Sequence, residues 1–408
     1  DLIKQLQEEE GMSVLFITHD MGVVAEVSDR TIVMFRGDVV ETGTTDDIFH
    51  RGRHPYTRAL LSAVPMLGSM KERALPARFP IIDIKTGESQ PTIEVKDTVA
   101  GGKTPILSVK DLTTRFDIRS GLFGRKSGAV HAVEKVSFDL AEGETLSLVG
   151  ESGCGKSTTG RSITRLIEPT SGDVTLDGYE VLKLDRMTLR TMRRSVQMIF
   201  QDPFASLDPR MSVGTAIMEP FVEHRLGSKQ QARDKAADLI EKVGLNPDMM
   251  RRFPHEFSGG QRQRVAIARS LMLDPKVIVA DEAVSALDVS IKAQVCNLLL
   301  DLQQSLNLAF LFISHDMAVV ERVSHRVAVM YLGEIVEIGP RAAVFDNPQH
   351  PYTKKLMSAV PVPDPARRQI KRNMATDEIK SPIRPVDYVA PERRYREVSA
   401  GHLVQEAA

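Results

Sequence analysis

The chain has 408 residues, a formal net charge of −1, 42% hydrophobic residues and two cysteines. This length predicts two or three domains with a sizeable core. The near-neutral charge gives no electrostatic basis for nucleic-acid binding, and Cys154 and Cys296 do not indicate a disulfide or zinc framework. No apolar run approaches the roughly 18 residues that a membrane-spanning helix needs.

The first predicted elements belong to an internal repeat. Residues 14–43 align without gaps with residues 310–339, at an offset of 296 residues (310 − 14). With the same offset, the sequence HPYT at 54–57 returns at 350–353. A period this long indicates a duplicated domain rather than a solenoid.

A glycine-rich loop at residues 150–157 reads GESGCGKS and matches the pattern G-x-x-x-x-G-K-[ST]. An apolar strand is predicted before it at 144–150, and a helix after it at 156–167. Glycines let successive N–H groups face one anion, Lys156 supplies a positive charge, and the Ser157 hydroxyl is a ligand for Mg²⁺. The pattern predicts binding of a nucleoside triphosphate.

A second anion-binding helix start is predicted at residues 258–264, which read SGGQRQR. Ser258 and the two glycines open a helix predicted at 261–271, so backbone N–H groups face outward at its start. A plain helix cap is the alternative interpretation. The preceding residues 211–244 are helical in pattern, and Gln201 follows a predicted strand at 196–200.

Two carboxylates end an apolar strand at residues 277–282, which read VIVADE. Asp281, at the end of a buried parallel strand, is placed to hold Mg²⁺, and Glu282 is the natural general base or water-orienting group. The sequence SALD follows and ends at Asp288. His315 follows another apolar strand; in isolation a buried core histidine is the better interpretation, whereas the ISHD context favours a functional one.

The order and spacing of these motifs resemble the ATP-binding subunits of ABC transporters over roughly residues 106–339. The resemblance implies an α/β fold, a P-loop NTPase of ABC type with a RecA-like core, an antiparallel β-subdomain and a helical signature subdomain. The two HPYT segments resemble the C-terminal element of the oligopeptide/dipeptide/nickel importer ATPases.

The resemblance also implies roles for individual residues. Phe116 stacks on adenine, Gln201 senses the γ-phosphate beside the membrane subunits, and His315 contacts the γ-phosphate. Ser258 of one domain closes in trans on the ATP held by another. The complete nucleotide-binding set is Phe116, Gly150, Glu151, Ser152, Gly153, Cys154, Gly155, Lys156, Ser157, Thr158, Ser258, Gly259, Gly260, Gln261 and Asp288. The catalytic set is Glu282, His315, Lys156 and Gln201, and the Mg²⁺ ligands are Ser157, Gln201 and Asp281.

The implied function is an ATP-hydrolysing subunit, using ATP and Mg²⁺, that powers a bacterial importer of peptides, with glutathione or di- and oligopeptides as the expected solutes. The expected partners are membrane-spanning permease subunits, a second ABC ATPase domain and, indirectly, a periplasmic solute-binding protein, with no nucleic acid. The implied location is peripheral, at the cytoplasmic face of the inner membrane. Two alternatives stay open: an ABC-type ATPase outside transport, and a nucleotide-binding fragment without turnover.

The domain boundaries follow from the repeat. Subtracting 296 from Lys156, Ser258 and Asp281 gives negative positions, so we expect an N-terminally truncated piece of a longer polypeptide with two ATPase domains. The second domain is then the missing first half of that polypeptide or another copy in a homodimer. The predicted segments are a first-domain remnant with its HPYT element (1–65), a linker (66–105), the complete domain (106–339), its HPYT-type element (340–361) and an extended or disordered tail (362–408).

Overall fold

The computed structural model describes residues 2–71, 73–83, 88, 95–99, 104–120, 125–202, 206–367, 381–386 and 388–406. The strands within these ranges form three sheets, of two, five and eight strands. The N-terminal copy of the repeat contains α1 (Leu2–Glu10), α2 (Met21–Val27), β1 (Arg30–Phe35), β2 (Asp38–Thr44), α3 (Thr45–Arg51) and α4 (Pro55–Ala63).

The rest of the chain alternates strands and helices. Its strands are β3 (Leu107–Ser120), β4 (Arg125–Leu140), β5 (Thr145–Val149), β6 (Ser171–Leu176), β7 (Tyr179–Glu180), β8 (Val196–Ile199), β9 (Val277–Asp281), β10 (Ala309–Ile313), β11 (Arg326–Tyr331), β12 (Glu334–Pro340), β13 (Ile383–Arg384), β14 (Tyr395–Ser399) and β15 (His402–Gln405). Its α-helices are α5 (Lys156–Ile163), α6 (Arg186–Met192), α7 (Val213–Glu223), α8 (Lys229–Lys242), α9 (Gly259–Leu271), α10 (Val289–Leu306), α11 (Met317–Val323), α12 (Arg341–Asp346) and α13 (Pro351–Ser358). Short 3₁₀ helices lie at Val181–Lys183, Pro247–Arg251, Pro254–Glu256 and Pro365–Arg367.

The eight-stranded sheet brings the predicted motifs to one edge. Its order is β14-β15-β12-β11-β5-β10-β9-β8, and the strands from β11 to β8 run parallel. Parallel strands buried on both faces are continuously apolar, as β5, β9 and β10 are. Because carboxyl ends of parallel strands meet at one edge, the phosphate loop, the two carboxylates, the histidine and the glutamine all follow strands at that edge.

The other two parts of the domain also agree with the predicted fold class. The five-stranded sheet, β13-β4-β3-β6-β7, is antiparallel. Helices α7 and α8 occupy the segment predicted to be helical and pack against α9, which begins at the signature sequence. The prediction of an ABC-type P-loop NTPase fold is thus confirmed. The helix after the phosphate loop is shorter than predicted, because α5 ends at Ile163 in a tight turn.

The repeat is visible in three dimensions. Strands β1 and β2 pair like β11 and β12, and both hairpins shift register at the same position, between Val33 and Met34 and between Val329 and Met330. The copies differ before these hairpins. Leu15 is 85% exposed in a segment without a strand, whereas its counterpart Leu311 is fully buried in β10 between β5 and β9. Its neighbouring sheet strands, not its own sequence, therefore bury this segment.

Part of the segment predicted as a linker, residues 66–71 and 73–83, packs against the second copy of the repeat and its preceding helix α10. Met70 and Phe79 are buried, and Asn297 of α10 both accepts from the Phe79 N–H (2.7 Å) and donates to its carbonyl (3.0 Å). Arg341, only 1% exposed, donates to the carbonyls of Met70 and Arg73. These contacts make the segment a fixed part of the second domain rather than a loose tether.

Removing the Arg341 side chain should destabilise this packing. Arg341→Ala removes the side-chain donor to the Arg73 carbonyl and one of the two donors to the Met70 carbonyl, so we expect the free energy of unfolding to fall by about 1–3 kcal/mol. Chemical denaturation monitored by circular dichroism measures this change. Arg51→Ala is the control, since Arg51 lies in an exposed ion pair and its loss should leave the unfolding midpoint unchanged. An equal midpoint for both variants would contradict the fixed packing.

The described part of the C-terminal segment contains three short strands. Strands β14 and β15 form a hairpin that joins the edge of the large sheet at β12, and β13 joins β4. The contacts are largely polar: Arg393 pairs with Glu334 (2.7 Å), and the Tyr395 hydroxyl donates to the Ile335 carbonyl (2.6 Å). Residues 368–380, 387 and 407–408 of the predicted tail lie outside the described residues.

Candidate nucleotide-binding site

The phosphate loop joins β5 to α5 in a conformation that requires glycine at two positions. Gly150 has φ +149° and Gly155 has φ +110°. A Cβ on Gly150 would lie 2.2 Å from the Met330 carbonyl oxygen, and one on Gly155 would lie 2.0 Å from that of Ala132. Gly155 is the N-cap of α5 and provides no side-chain cap. The first N–H groups of the helix are therefore left for a ligand at its positive end.

Lys156 lies across the loop. Its side chain is buried, and Nζ donates to the carbonyl oxygens of Gly150 and Glu151, at 2.8 Å each. Neutral carbonyl groups orient this ammonium without cancelling its charge. The arrangement keeps a full positive charge beside the N-terminus of α5, which suits a polyphosphate. The thiol of Cys154 lies 3.7 Å from Nζ, and burial raises the pKa of this thiol.

Ser157 and Asp281 lie together, as predicted for a magnesium site. The Ser157 hydroxyl donates to Oδ1 of Asp281 at 2.6 Å. Oδ2 of Asp281 is buried without a hydrogen-bond partner, and Arg161 lies 3.7 Å from it. Burial raises the pKa of Asp281, while the Ser157 hydrogen bond and Arg161 act to lower it. A hydroxyl and a carboxylate with an unused oxygen are hard donors, so these residues fit Mg²⁺.

The Glu282 carboxylate lies between the two other predicted catalytic residues. Nε2 of Gln201 donates to Oε2 of Glu282 at 2.8 Å, and Nδ1 of His315 lies 3.2 Å from Oε1. Glu282 has φ +49°, which is an uncommon backbone conformation for a side chain of this size. Its N–H donates to the carbonyl of Ile313 at 2.9 Å, so the neighbouring strand β10 holds it there.

The remaining predicted residues lie on β3, at the starts of α9 and α10, and in the phosphate loop and the first turn of α5. Ser258 and Gln261 form a reciprocal capping box at the start of α9. The helix cap that the sequence offered as an alternative interpretation is therefore present. The Ser258 side chain is also exposed. Phe116 is 42% exposed on β3, unlike the core phenylalanines. Asp288 caps α10 through the Ile291 N–H. Of the loop residues, Ser152 and Gly153 are exposed.

Sequence reasoning did not single out two residues that touch the site. Arg161 lies one turn of α5 after Ser157, and its guanidinium is 3.7 Å from Oδ2 of Asp281. The Tyr352 hydroxyl of the second HPYT segment accepts a hydrogen bond from the Glu151 N–H at 2.9 Å. The repetition of HPYT was the only signal for Tyr352, since 201 residues separate it from its partner.

Comparisons with known proteins agree with this geometry. The family model for ABC transporters matches residues 133–285, and that for the oligopeptide/dipeptide transporter C-terminal region matches residues 40–83 and 336–382. The chain is 60% identical over 385 residues, 94% of its length, to the glutathione import ATP-binding protein GsiA of Pectobacterium atrosepticum. The chain contains an ABC transporter domain.

Other GsiA proteins have similar sequence identity to this chain. It is 60% identical over 383 residues to GsiA of Escherichia coli strain K12, and 57% identical over 403 residues to GsiA of Salmonella typhi. It spans 61% and 64% of the length of these two proteins, and 62% of the Pectobacterium one. The resemblance to the importer ATP-binding proteins predicted from the motifs is therefore confirmed for the part of the relatives that this chain covers.

Solved ABC structures match the domain. The cbiO1 protein of Clostridium perfringens, part of the ABC transporter complex cbiONQ, has a TM-score of 0.52 and 26% identity over 60% of this chain and 92% of its own. The ATP-binding cassette MJ0796, solved as a dimer in a post-hydrolysis state with ADP and Pi, has a TM-score of 0.52 and 28% identity over 58% of this chain and 98% of its own. Within the described residues, no helix is both long and apolar enough to cross a membrane.

Proposed function

We propose that this chain hydrolyses ATP to power a bacterial ABC importer of peptides. The observation that carries the proposal is the placement of Gln201, Glu282 and His315 in one hydrogen-bonded cluster at the sheet edge that also carries Lys156 and the Ser157–Asp281 pair. Phosphoryl transfer to water needs this combination, namely charge stabilisation for the phosphates and a positioned base for the water. The closely related GsiA proteins, which are named for glutathione import, support the peptide class.

In the proposed site, Lys156 and the free N–H groups of α5 bind the β- and γ-phosphates of ATP, and Phe116 supports the adenine. Ser157, Asp281 and the amide oxygen of Gln201 form the magnesium ligand set. Mg²⁺ bound there neutralises negative charge on the phosphates.

The attacking water is oriented by Glu282, which accepts its proton as the bond from water to the γ-phosphorus forms and the bond from this phosphorus to the bridging oxygen breaks, releasing ADP. Gln201 and His315 hold the two carboxylate oxygens from opposite sides, at 2.8 and 3.2 Å, and so fix the direction in which the carboxylate faces. The unusual backbone conformation of Glu282 serves the same purpose, because a rotated carboxylate would lose the water.

The proposed partner at the site is a second ABC ATPase domain. Ser258 and Gly259 are exposed at the start of α9, which continues through Gly260 and Gln261. By resemblance to the ABC ATPases, this helix start acts on ATP that another domain holds. In a solution of this chain alone, that domain is a second copy. The further proposed partners are membrane-spanning permease subunits, with a periplasmic solute-binding protein acting through them. The proposed location is the cytoplasmic face of the inner membrane, as a peripheral protein.

Growth on a defined sulfur source tests the proposal. A strain deleted for the gene of this chain should fail to grow on glutathione as the sole sulfur source. The wild-type gene should restore growth, whereas the Lys156→Ala gene should not. Growth on sulfate is the control for general fitness. Normal growth of the deletion strain on both glutathione and sulfur-containing dipeptides would contradict peptide import.

A further inference from the structure

The second HPYT helix, α13, is fixed at its start by a buried carboxylate. Glu337 of β12 is 0% exposed and accepts from the N–H groups of Gln349 and His350, at 2.9 Å each. Nε2 of His402, in the C-terminal hairpin, lies 2.8 Å from the same carboxylate. His350 also caps α13, since its Nδ1 accepts from the Tyr352 N–H at 3.1 Å. The start of the helix therefore cannot shift without breaking several buried polar contacts.

The first copy of the repeat shows the same arrangement independently. Glu41 accepts from the N–H groups of Arg53 and His54, at 2.7 and 3.2 Å, and His54 caps α4 as His350 caps α13. The ring of Tyr56 packs on Phe35 with 4.3 Å between centroids. Each copy of HPYT therefore begins a helix in the same way. Its histidine caps the helix, its tyrosine packs on an aromatic ring, and a glutamate of the preceding strand accepts hydrogen bonds from the backbone before the helix.

In the second copy this unit reaches the phosphate loop. The Tyr352 ring is buried and packs on Tyr331 with 4.3 Å between centroids, and its hydroxyl accepts from the Glu151 N–H at 2.9 Å. Burial raises the pKa of the Tyr352 phenol, so the group stays neutral. A backbone N–H in this position needs an acceptor, because an unpaired buried donor costs free energy.

The contact bears directly on Lys156. The Glu151 N–H and the Gly150 carbonyl belong to one planar peptide unit, in which the N–H and C=O bonds point in opposite directions. Tyr352 binds the N–H side of this unit, and Lys156 Nζ donates to the carbonyl side at 2.8 Å. Fixing one side of a rigid plane fixes the other. Tyr352 therefore sets the direction of the carbonyl that orients the lysine.

We propose that Tyr352 is a positioning residue for the phosphate loop, and that the second HPYT segment keeps the Gly150–Glu151 peptide and Lys156 in the geometry that receives the phosphates. The proposal rests on the proposed function, since it assumes that this loop binds ATP. The second HPYT segment thus acts on the nucleotide site of its own domain, and the Tyr352 hydroxyl makes the contact.

Tyr352→Phe tests the proposal, because it removes the hydroxyl and keeps the ring. We expect the dissociation constant for Mg-ATP, measured by calorimetry on the 408-residue chain, to rise about 3- to 10-fold, as for the loss of one hydrogen bond. The matched control is Tyr56→Phe, which removes the equivalent hydroxyl in the first copy and should leave the affinity unchanged. Unchanged affinity in Tyr352→Phe would overturn the proposal, whereas absent binding in the wild type would overturn the proposed function instead.

A second readout separates positioning from general stability. In Tyr352→Phe, hydrogen–deuterium exchange should speed up in the peptide that contains Gly150 and Glu151, while the midpoint of thermal unfolding stays within the range of the Tyr56→Phe control. Loss of affinity with unchanged exchange in this peptide would contradict the proposed route through the peptide plane. A lower unfolding midpoint with exchange raised throughout the domain would contradict it as well.

Discussion

Lys156→Ala is expected to weaken the binding of Mg-ATP by this chain and to abolish its turnover. The Lys156 ammonium places a full positive charge in the phosphate loop. Hydrogen bonds from a charged donor to phosphate are about twice as strong as those between neutral groups. The dissociation constant should rise by about 100-fold or more, and turnover should fall below detection. Isothermal titration calorimetry with Mg-ATP measures the first effect and phosphate release measures the second.

The control for this variant is Lys183→Ala, which removes an exposed lysine of the same domain. The Lys183 side chain is 67% exposed and pairs with Glu180, so its loss should leave ATP binding unchanged. ATP binding of wild-type affinity in Lys156→Ala would contradict the assignment of the loop.

Glu282→Gln is expected to keep ATP binding and to stop its hydrolysis. The amide has the shape of the carboxylate and still accepts the hydrogen bond from Gln201, but it cannot accept a proton from water. Loss of a general base lowers turnover by about 10²- to 10⁴-fold. Single-turnover phosphate release, measured beside calorimetric ATP affinity, separates the two effects.

An exposed carboxylate provides the comparison for Glu282→Gln. Glu180→Gln removes a charge of the same kind from a side chain that is 65% exposed, and it should leave both affinity and turnover at the wild-type values. Wild-type turnover in Glu282→Gln would show that another group orients the water. Lost affinity in the same variant would show that Glu282 contributes to binding rather than to the chemical step.

The catalytic cluster could be predicted from the sequence because each member follows a strand of one parallel sheet. Such strands are recognised by their apolar runs, and their carboxyl ends meet at one edge, so Lys156, Glu282 and His315 converge without any knowledge of side-chain packing. The positive φ of Glu282 was not predictable, because it depends on the hydrogen bond from its N–H to the neighbouring strand.

The contacts that the sequence did not reveal join distant segments. The hydrogen bond between Tyr352 and Glu151 spans 201 residues, and the pair of Asn297 and Phe79 spans 218. The C-terminal hairpin has the composition of a disordered segment, yet polar contacts such as Arg393 with Glu334 attach it to β12. Composition predicts how much apolar surface a segment can bury, but it does not reveal specific polar partners elsewhere in the chain.

The two copies of the repeat show the limit of local sequence in another way. Residues 14–17 and 310–313 have nearly the same apolar sequence, but only the second segment forms a strand. Ile313 is fully buried in β10, whereas Ile17 is 91% exposed. Strand formation here depends on the neighbours β5 and β9, which supply the hydrogen bonds and the covering surface.

The measurement that tests the account most directly is the solution mass of Glu282→Gln protein with and without Mg-ATP, determined by light scattering. If Ser258 of one copy closes on ATP held by Lys156 of another, the solution mass of Glu282→Gln should double in Mg-ATP. The protein should remain a monomer in Mg-ADP, and the Glu282→Gln, Ser258→Arg double variant should remain a monomer in Mg-ATP. A Glu282→Gln protein that binds Mg-ATP in calorimetry and remains a monomer would contradict the proposed ATP-dependent dimer of two copies.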